Sequence, residues 1–369
     1  MLKRRLTALA ASWLLFGLVV PVCSAQRVLQ RKRLENNTEA ITAILSGPLK
    51  GNVAIMDGLD VLALSQENEE EDAHKLFNVL ALGVNSGPRG IAYIESQRQF
   101  VFDDPTQIPT LFLSDVRGNP QGTIAVTYPG GFTPDHVEGL ASLPAEATYF
   151  PNTLVQVAIT FGATSTTTRL EVIDPSGLVV AEIFPQIFAS DPNPSDFVTG
   201  LAFQFPDHLL VGTVSGLLWQ IDFAGNVTAG PVTFPGVTDL EGIAQTGRNR
   251  IAVAGYSAGK LMFVDGSLNR VAQEVQSYQI GFGLSQALGV AWDSDTGTHL
   301  VHVSGASGPI PPEVISLTRS LHSEQEVVDL TGASAPRALA YLADEHRMQS
   351  HKRAVRPLAP SSSTTMGGP

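Results

Sequence analysis

Gly90-Ile91-Ala92-Tyr93, Gln99-Phe100-Val101-Phe102, Thr110-Leu111-Phe112-Leu113-Ser114-Asp115 and Thr123-Ile124-Ala125-Val126 are four short apolar runs rich in β-branched and aromatic residues, with turn-like stretches between them. Runs of this length and composition read as strands. Four in close succession read as one four-stranded antiparallel sheet. The tripeptide that opens the unit returns as Gly139-Leu140-Ala141, Gly200-Leu201-Ala202, Gly242-Ile243-Ala244 and Gly289-Val290-Ala291, and in degraded form as Ala338-Leu339-Ala340. Successive copies begin 42 to 61 residues apart. Units of roughly 40 to 50 residues, each with several strands, are the signature of a β-propeller. The expected fold is therefore all-β, a propeller of six four-stranded blades, with five or seven compatible with the unequal copy lengths.

A second marker recurs where the third strand of a unit ends: Asp115 with Gly118, Asp174 with Gly177, Asp222 with Gly225, and more loosely Asp265 with Gly266 and Asn269. Asp at the first and Gly at the fourth position of a type I turn lets the carboxylate bond the turn's own backbone. These aspartates read as hairpin formers. The last copy leaves too little chain for a whole blade. The segments Val53 to Met56, Val61 to Ser65 and Leu76 to Leu82 are expected to join its inner strand, so that N- and C-terminal strands close the ring in one blade. The acidic run Asn68 to Asp72 reads as a solvated hairpin loop.

Residues 1–25 read as an export signal, with Lys3, Arg4 and Arg5, an apolar stretch from Leu6 to Val20, and Ser24-Ala25 before the cut. A membrane anchor is the competing reading, but Pro21 interrupts the stretch short of the ~20 apolar residues that a span needs. The domain plan is then a linker over 26–48, the propeller over 49–347 and a Ser-, Thr- and Pro-rich tail over 348–369. The expected location is secreted or periplasmic, with no span after cleavage. Cys23, the only cysteine, lies within the signal, so disulfides and thiol chemistry are excluded from the mature chain. Acylation of Cys23 is disfavoured by Val22 before it. Losing Lys3, Arg4 and Arg5 takes the formal charge from -12 to -15, which argues against a nucleic-acid partner.

The first strand of a propeller blade lines the central channel, so the residue before each repeat glycine is expected at the channel mouth. Those residues are Arg89, Glu138, Thr199, Glu241, Leu288 and Arg337. One reading is a salt-bridged ring that keeps the blades in register, at little net gain in stability. The other is a ligand site, with Glu138, Glu241 and the nearby Asp239 as oxygen ligands for Ca2+ and with Arg89 and Arg337 holding an anionic substrate. Asp135, Asp191 and Asp196 add carboxylates in the loops that enter these strands. His136 is placed for general acid or base work, or else bonds a neighbouring loop carbonyl. Gly255-Tyr256-Ser257-Ala258-Gly259 has nucleophile-elbow spacing but lies between two strands, where a hairpin loop is expected. No zinc spacing, P-loop or dinucleotide fingerprint is present.

Leu240-Glu241-Gly242-Ile243-Ala244 and Val137-Glu138-Gly139-Leu140-Ala141 resemble the glutamate-glycine blade openings of calcium-dependent six-bladed propellers. This group takes in the gluconolactonase and senescence-marker-protein family, NHL-repeat proteins and the esterase-like phytases. The resemblance spans the blades from about Gly90 to Tyr341. It implies Glu138 or Glu241 as a metal ligand. The lactonase pattern also asks for an asparagine before the glycine of a later blade, where this chain has Thr199 and Leu288. The expected function is an exported binding or scaffold module that takes a small-molecule or protein ligand at its top face. The alternative is a calcium-dependent lactone or ester hydrolase at the channel mouth.

Overall fold

The computed structural model describes residues 28–33, 40–44, 46–50, 52–64, 74–162, 166–189, 196–245, 250–255, 260–268, 271–276, 285–293, 298–305 and 313–318. Strand β1 (Val28–Arg33) comes first. Five four-stranded antiparallel sheets follow, each built from consecutive strands. The first holds β2 (Ile41–Ala43), β3 (Val53–Asp57), β4 (Asp60–Leu64) and β5 (His74–Asn78), and the second β6 (Ile91–Ile94), β7 (Gln99–Asp103), β8 (Thr110–Asp115) and β9 (Pro120–Ala125). The third holds β10 (His136–Ser142), β11 (Leu154–Phe161), β12 (Thr166–Ile173) and β13 (Val179–Ile183). The fourth holds β14 (Val198–Gln204), β15 (His208–Thr213), β16 (Leu217–Ile221) and β17 (Val227–Thr233), and the fifth β18 (Leu240–Gln245), β19 (Arg250–Gly255), β20 (Lys260–Asp265) and β21 (Val271–Gln276). A further sheet takes β22 (Ser285–Asp293), β23 (Thr298–Gly305) and β24 (Glu313–Thr318) from late in the chain and adds β1 beside β24. The first strands β2, β6, β10, β14, β18 and β22 each pack on the next, and β22 packs on β2. That is the ring arrangement of a β-propeller.

The inner strands are apolar on both faces because each sheet is sandwiched between two others. In β7, Phe100 and Phe102 enter the core shared with the first sheet, while Val101 enters the core shared with the third. The larger cluster built on Val157, Leu170, Phe203, Val211 and Ile243 runs through the third, fourth and fifth sheets. Outermost strands such as β9 are largely exposed, which suits polar sequence and proline at a sheet edge. No helix among the described residues is long and apolar enough to cross a membrane.

The repeat glycines mark where inner strands meet. A Cβ on Gly200 would stand 2.4 Å from Leu240 O and 2.9 Å from Glu241 O, and one on Gly90 would stand 2.7 Å from Leu140 N. Both contacts are with the backbone of the next sheet's first strand. In β14, β18 and β22 the register slips at the residue before this glycine, leaving Thr199, Glu241 and Leu288 as bulge residues. In β10 the slip falls on Gly139 itself, at φ 62°. In β10, β14, β18 and β22 the recurring tripeptide thus carries a β-bulge, and at Gly90 and Gly200 its glycine lets neighbouring backbones come together.

The turn aspartates do what their spacing predicts. Asp115, Asp174 and Asp222 each accept backbone N–H groups two and four residues on, and Gly118, Gly177 and Gly225 close the turns at positive φ. Asp265 accepts from Ser267 N in the looser copy.

Two expectations are corrected. The stretch 26–48, expected as a linker, carries β1 and β2. The segments around Val53, Val61 and Leu76 supply β3, β4 and β5 of a sheet that β2 completes, and β1 is the strand that pairs with the C-terminal sheet, Val28 opposite Leu317 and Arg33 opposite Glu313. A charged sequence such as Val28-Leu29-Gln30-Arg31-Lys32-Arg33 lacks the apolar signal of a strand, but an outermost strand does not need it. Residues 256–259, expected as a hairpin loop, lie outside the described residues. The export signal, the acidic run 68–72, the copy at Ala338 with Arg337, and the tail lie outside the described residues.

Candidate functional site

Inner strands β6, β10 and β14 start at one end of the ring, and the residues that open them meet there. Glu138 on β10 is buried, with its Oε1 accepting a 3.3 Å bond from Arg89 Nη1 and lying 2.6 Å from His136 Nε2. Arg89 comes from the preceding sheet, so one carboxylate ties two blades together. Roughly a third of the Arg89 side chain and a fifth of the His136 side chain stay exposed, 32% and 20%. The expectation that an arginine of this set reaches a neighbouring acid therefore holds for Arg89 and Glu138. The histidine bonds that same carboxylate.

Asp103, at the end of β7, fixes the approach of Arg89. Its Oδ1 accepts from the backbone N–H groups of Arg89 and Gly90, each at 2.8 Å. Burial pushes this carboxyl up to about 7. Those two backbone bonds and the Arg89 charge pull it down, and the Glu138 charge adds to the push upward. Beside this polar centre stands Phe161, 52% exposed at the end of β11. Its ring lies 6.1 Å from that of His136 and meets Phe197 edge-on at 6.0 Å, and its N–H bonds Asp135 Oδ2. The mouth thus combines an arginine and a histidine held by a buried carboxylate with a half-exposed aromatic face, a combination suited to holding a ligand with apolar and polar parts.

Of the other expected residues, Asp135 meets this group through the Phe161 N–H, and Asp191 and Arg337 lie outside the described residues. Thr199 is buried and donates through Oγ1 to Leu240 O at 3.0 Å, a cross-blade bond in place of a ligand position. Glu241 is buried on β18, and Asp239, at φ 68°, donates its N–H to Val214 O. Among the described residues no three His, Cys, Asp or Glu side chains are placed to hold a metal ion. Glu138, moreover, spends Oε1 on two basic side chains. Among the described residues the donor set expected for Ca2+ is not brought together, and no step is derived through a metal. Asp196 is an anchor: its carboxylate accepts from Ser215 N and Ser215 Oγ.

Sequence reasoning missed a polar seam that leaves the mouth and runs outward between the second and third sheets. Tyr128 donates to Gln156 Oε1 at 2.9 Å. Gln156 lies opposite Glu171 in the β11–β12 ladder, and Glu171 lies opposite Glu182 in the β12–β13 ladder. Arg169 Nη1 bonds Glu182 at 2.8 Å, and its guanidinium stacks 3.8 Å from the Phe132 ring centre. Leu154 and Ile173, two places along from Gln156 and Glu171, belong to the apolar core between these two sheets. The signal available in the sequence was a single one, Glu171 between Leu170 and Val172 in a run otherwise suited to burial.

The sequence matches no family model and no curated protein. Among solved structures it is similar to the WD40 β-propeller domain of Doa1, with a TM-score of 0.51 and 11% identity over 80% of this chain and 97% of that one. At that identity the likeness concerns the fold. Together with the ring of four-stranded sheets, it shows that the chain is a β-propeller.

Proposed function

We propose that the protein is an exported binding or scaffold module, a six-bladed propeller that takes its ligand at the mouth where β6, β10 and β14 begin. The observation that carries this reading is the pairing of a half-exposed Phe161 with a polar centre in which Glu138 is already committed to Arg89 and His136. Residues locked to one another hold a shape, and an exposed aromatic beside them offers contact area. The six-blade count is supported by the six first strands that follow one another around the ring and by the sheet that joins β1 to β22, β23 and β24. Export rests on the N-terminal sequence alone. The hydrolase alternative is not favoured, since the carboxylates it needs for calcium are not grouped among the described residues.

The test is a thermal-shift screen of small molecules and peptides on the chain from Gln26 onward, with calcium and with excess chelator, run beside an ester and lactone turnover panel. The expected result is a ligand-induced rise in midpoint that Phe161→Ser abolishes, no change between calcium and chelator, and no turnover. A ligand at a hundredfold over its dissociation constant adds about 2.7 kcal/mol, which such a screen resolves. Turnover above background that requires calcium and disappears in Glu138→Gln would overturn the reading.

A further inference from the structure

Two carboxyl groups in the seam between the second and third sheets have oxygens that meet no donor. Glu171 is fully buried, and among the described residues neither of its oxygens has a hydrogen-bond partner. Asp103 is 1% exposed, and its Oδ2 likewise has none. The cations nearby are engaged elsewhere, Arg169 with Glu182 and Arg89 with Glu138. The titratable and charged groups that bear on Glu171 among the described residues are Glu182 and Arg169, with Tyr128 on the opposing blade. Those that bear on Asp103 are Glu138, Arg89 and Tyr128, with His136 one step further through Glu138. Acids thus outnumber bases along a seam that is otherwise apolar core.

We propose that the seam between these two blades is a proton-operated joint, closed when Asp103 and Glu171 are protonated and loosened when they ionise. A protonated carboxyl buries at modest cost, whereas an ionised one without a partner is strongly disfavoured in a low-dielectric interior. Burial, with Glu182 adding to it against the pull of Arg169, pushes the Glu171 carboxyl up from an ordinary 4.5 to about 7. The folded chain therefore holds protons that the unfolded chain has released between these limits. The contribution of these two groups is fully present in acid and falls as pH rises from about 4.5 through about 7, by up to tenfold in the folding constant per pH unit for each group. Because Asp103 Oδ1 also holds the backbone of Arg89 and Gly90, opening the seam releases one wall of the mouth.

The experiment is urea unfolding of the full mature chain between pH 5 and 8, for wild type, Glu171→Gln and Glu171→Leu. Backbone hydrogen exchange of β7, β11 and β12 is followed in the same series, corrected for the intrinsic pH dependence of exchange. Wild type is expected to lose stability across this window, with exchange in those strands accelerating more than in β15 or β19. Both variants are expected to match or exceed wild type at pH 8 and to flatten the profile, leucine serving if the amide is poorly accommodated. A wild-type profile that is already flat, or variants that keep the same slope, would overturn the proposal. So would a loss of stability at pH 8 in both variants, the mark of a carboxylate held by a partner. None of these outcomes depends on the mouth being a ligand site.

Discussion

Gly200→Ala tests whether the repeat glycine is a packing requirement between blades. The added Cβ would stand 2.4 Å from Leu240 O and 2.9 Å from Glu241 O, so the two first strands would have to part by about 1 Å to restore ordinary contact. Overpacking of this kind costs about 1–3 kcal/mol. Parting also stretches the Thr199 Oγ1 bond to Leu240 O, worth about 1 kcal/mol more. A total near 3 kcal/mol is expected. Gly139→Ala provides the contrast within the same motif: its Cβ meets no atom within 4 Å, but φ is 62°, so the cost is conformational and about 1–2 kcal/mol. Urea unfolding of both variants, with m held constant as the check on a common denatured state, gives the two values. If Gly200→Ala is no more destabilising than Gly139→Ala, inter-blade contact is not what the motif encodes.

Thr199→Val keeps the shape of a buried side chain and removes only its cross-blade bond, so it is expected to lower stability by about 1 kcal/mol in the same assay. Asp222 is held below its ordinary carboxyl value: slight burial works against this, but bonds from the Asn226 side chain and from the backbone of Asn226 and Ala224 prevail. A group with a lowered folded value contributes stability above its unfolded value, and that contribution is lost as pH falls through the folded one. Asp222→Ala should therefore be less stable than wild type at pH 6, with the difference closing toward pH 2, as paired urea titrations would show.

The blade from Gly90 to Val126 was legible because β7 and β8 are buried on both faces and so are spelled in unbroken apolar residues. The Asp-x-x-Gly turns were legible because their chemistry is local: donor and acceptor lie within four residues of each other. The contact between Arg89 and Glu138 followed from repeat position alone, since both precede a glycine at the same level of adjacent blades. The seam was not legible in this way. Glu171, Gln156 and Tyr128 come together only once two sheets are stacked, and nothing in the local sequence tells a buried glutamate from one at a rim. Strand β1 escaped for the opposite reason, its charged residues giving no periodic apolar signal. The likeness to calcium propellers rested on Glu138 and Glu241, which are both buried at blade openings, but the bulge explains their shared glycine without a metal.

The pairing of β1 with β24 bears on how the chain reaches its fold. The two strands lie at nearly opposite ends of the described sequence, so the contact that completes the last sheet spans the longest separation of any strand pair among the described residues. Long-range pairings of this type slow folding and leave intermediates with unpaired strand edges. A chain emerging from synthesis can build its consecutive sheets one after another, yet it keeps β1 waiting until Glu313–Thr318 arrive. Deleting Val28–Arg33 would leave every consecutive sheet intact and expose β24 as a ready edge for another chain. Among the described strands the first made is thus the last one placed, and the ring is sealed only once Glu313–Thr318 have been made.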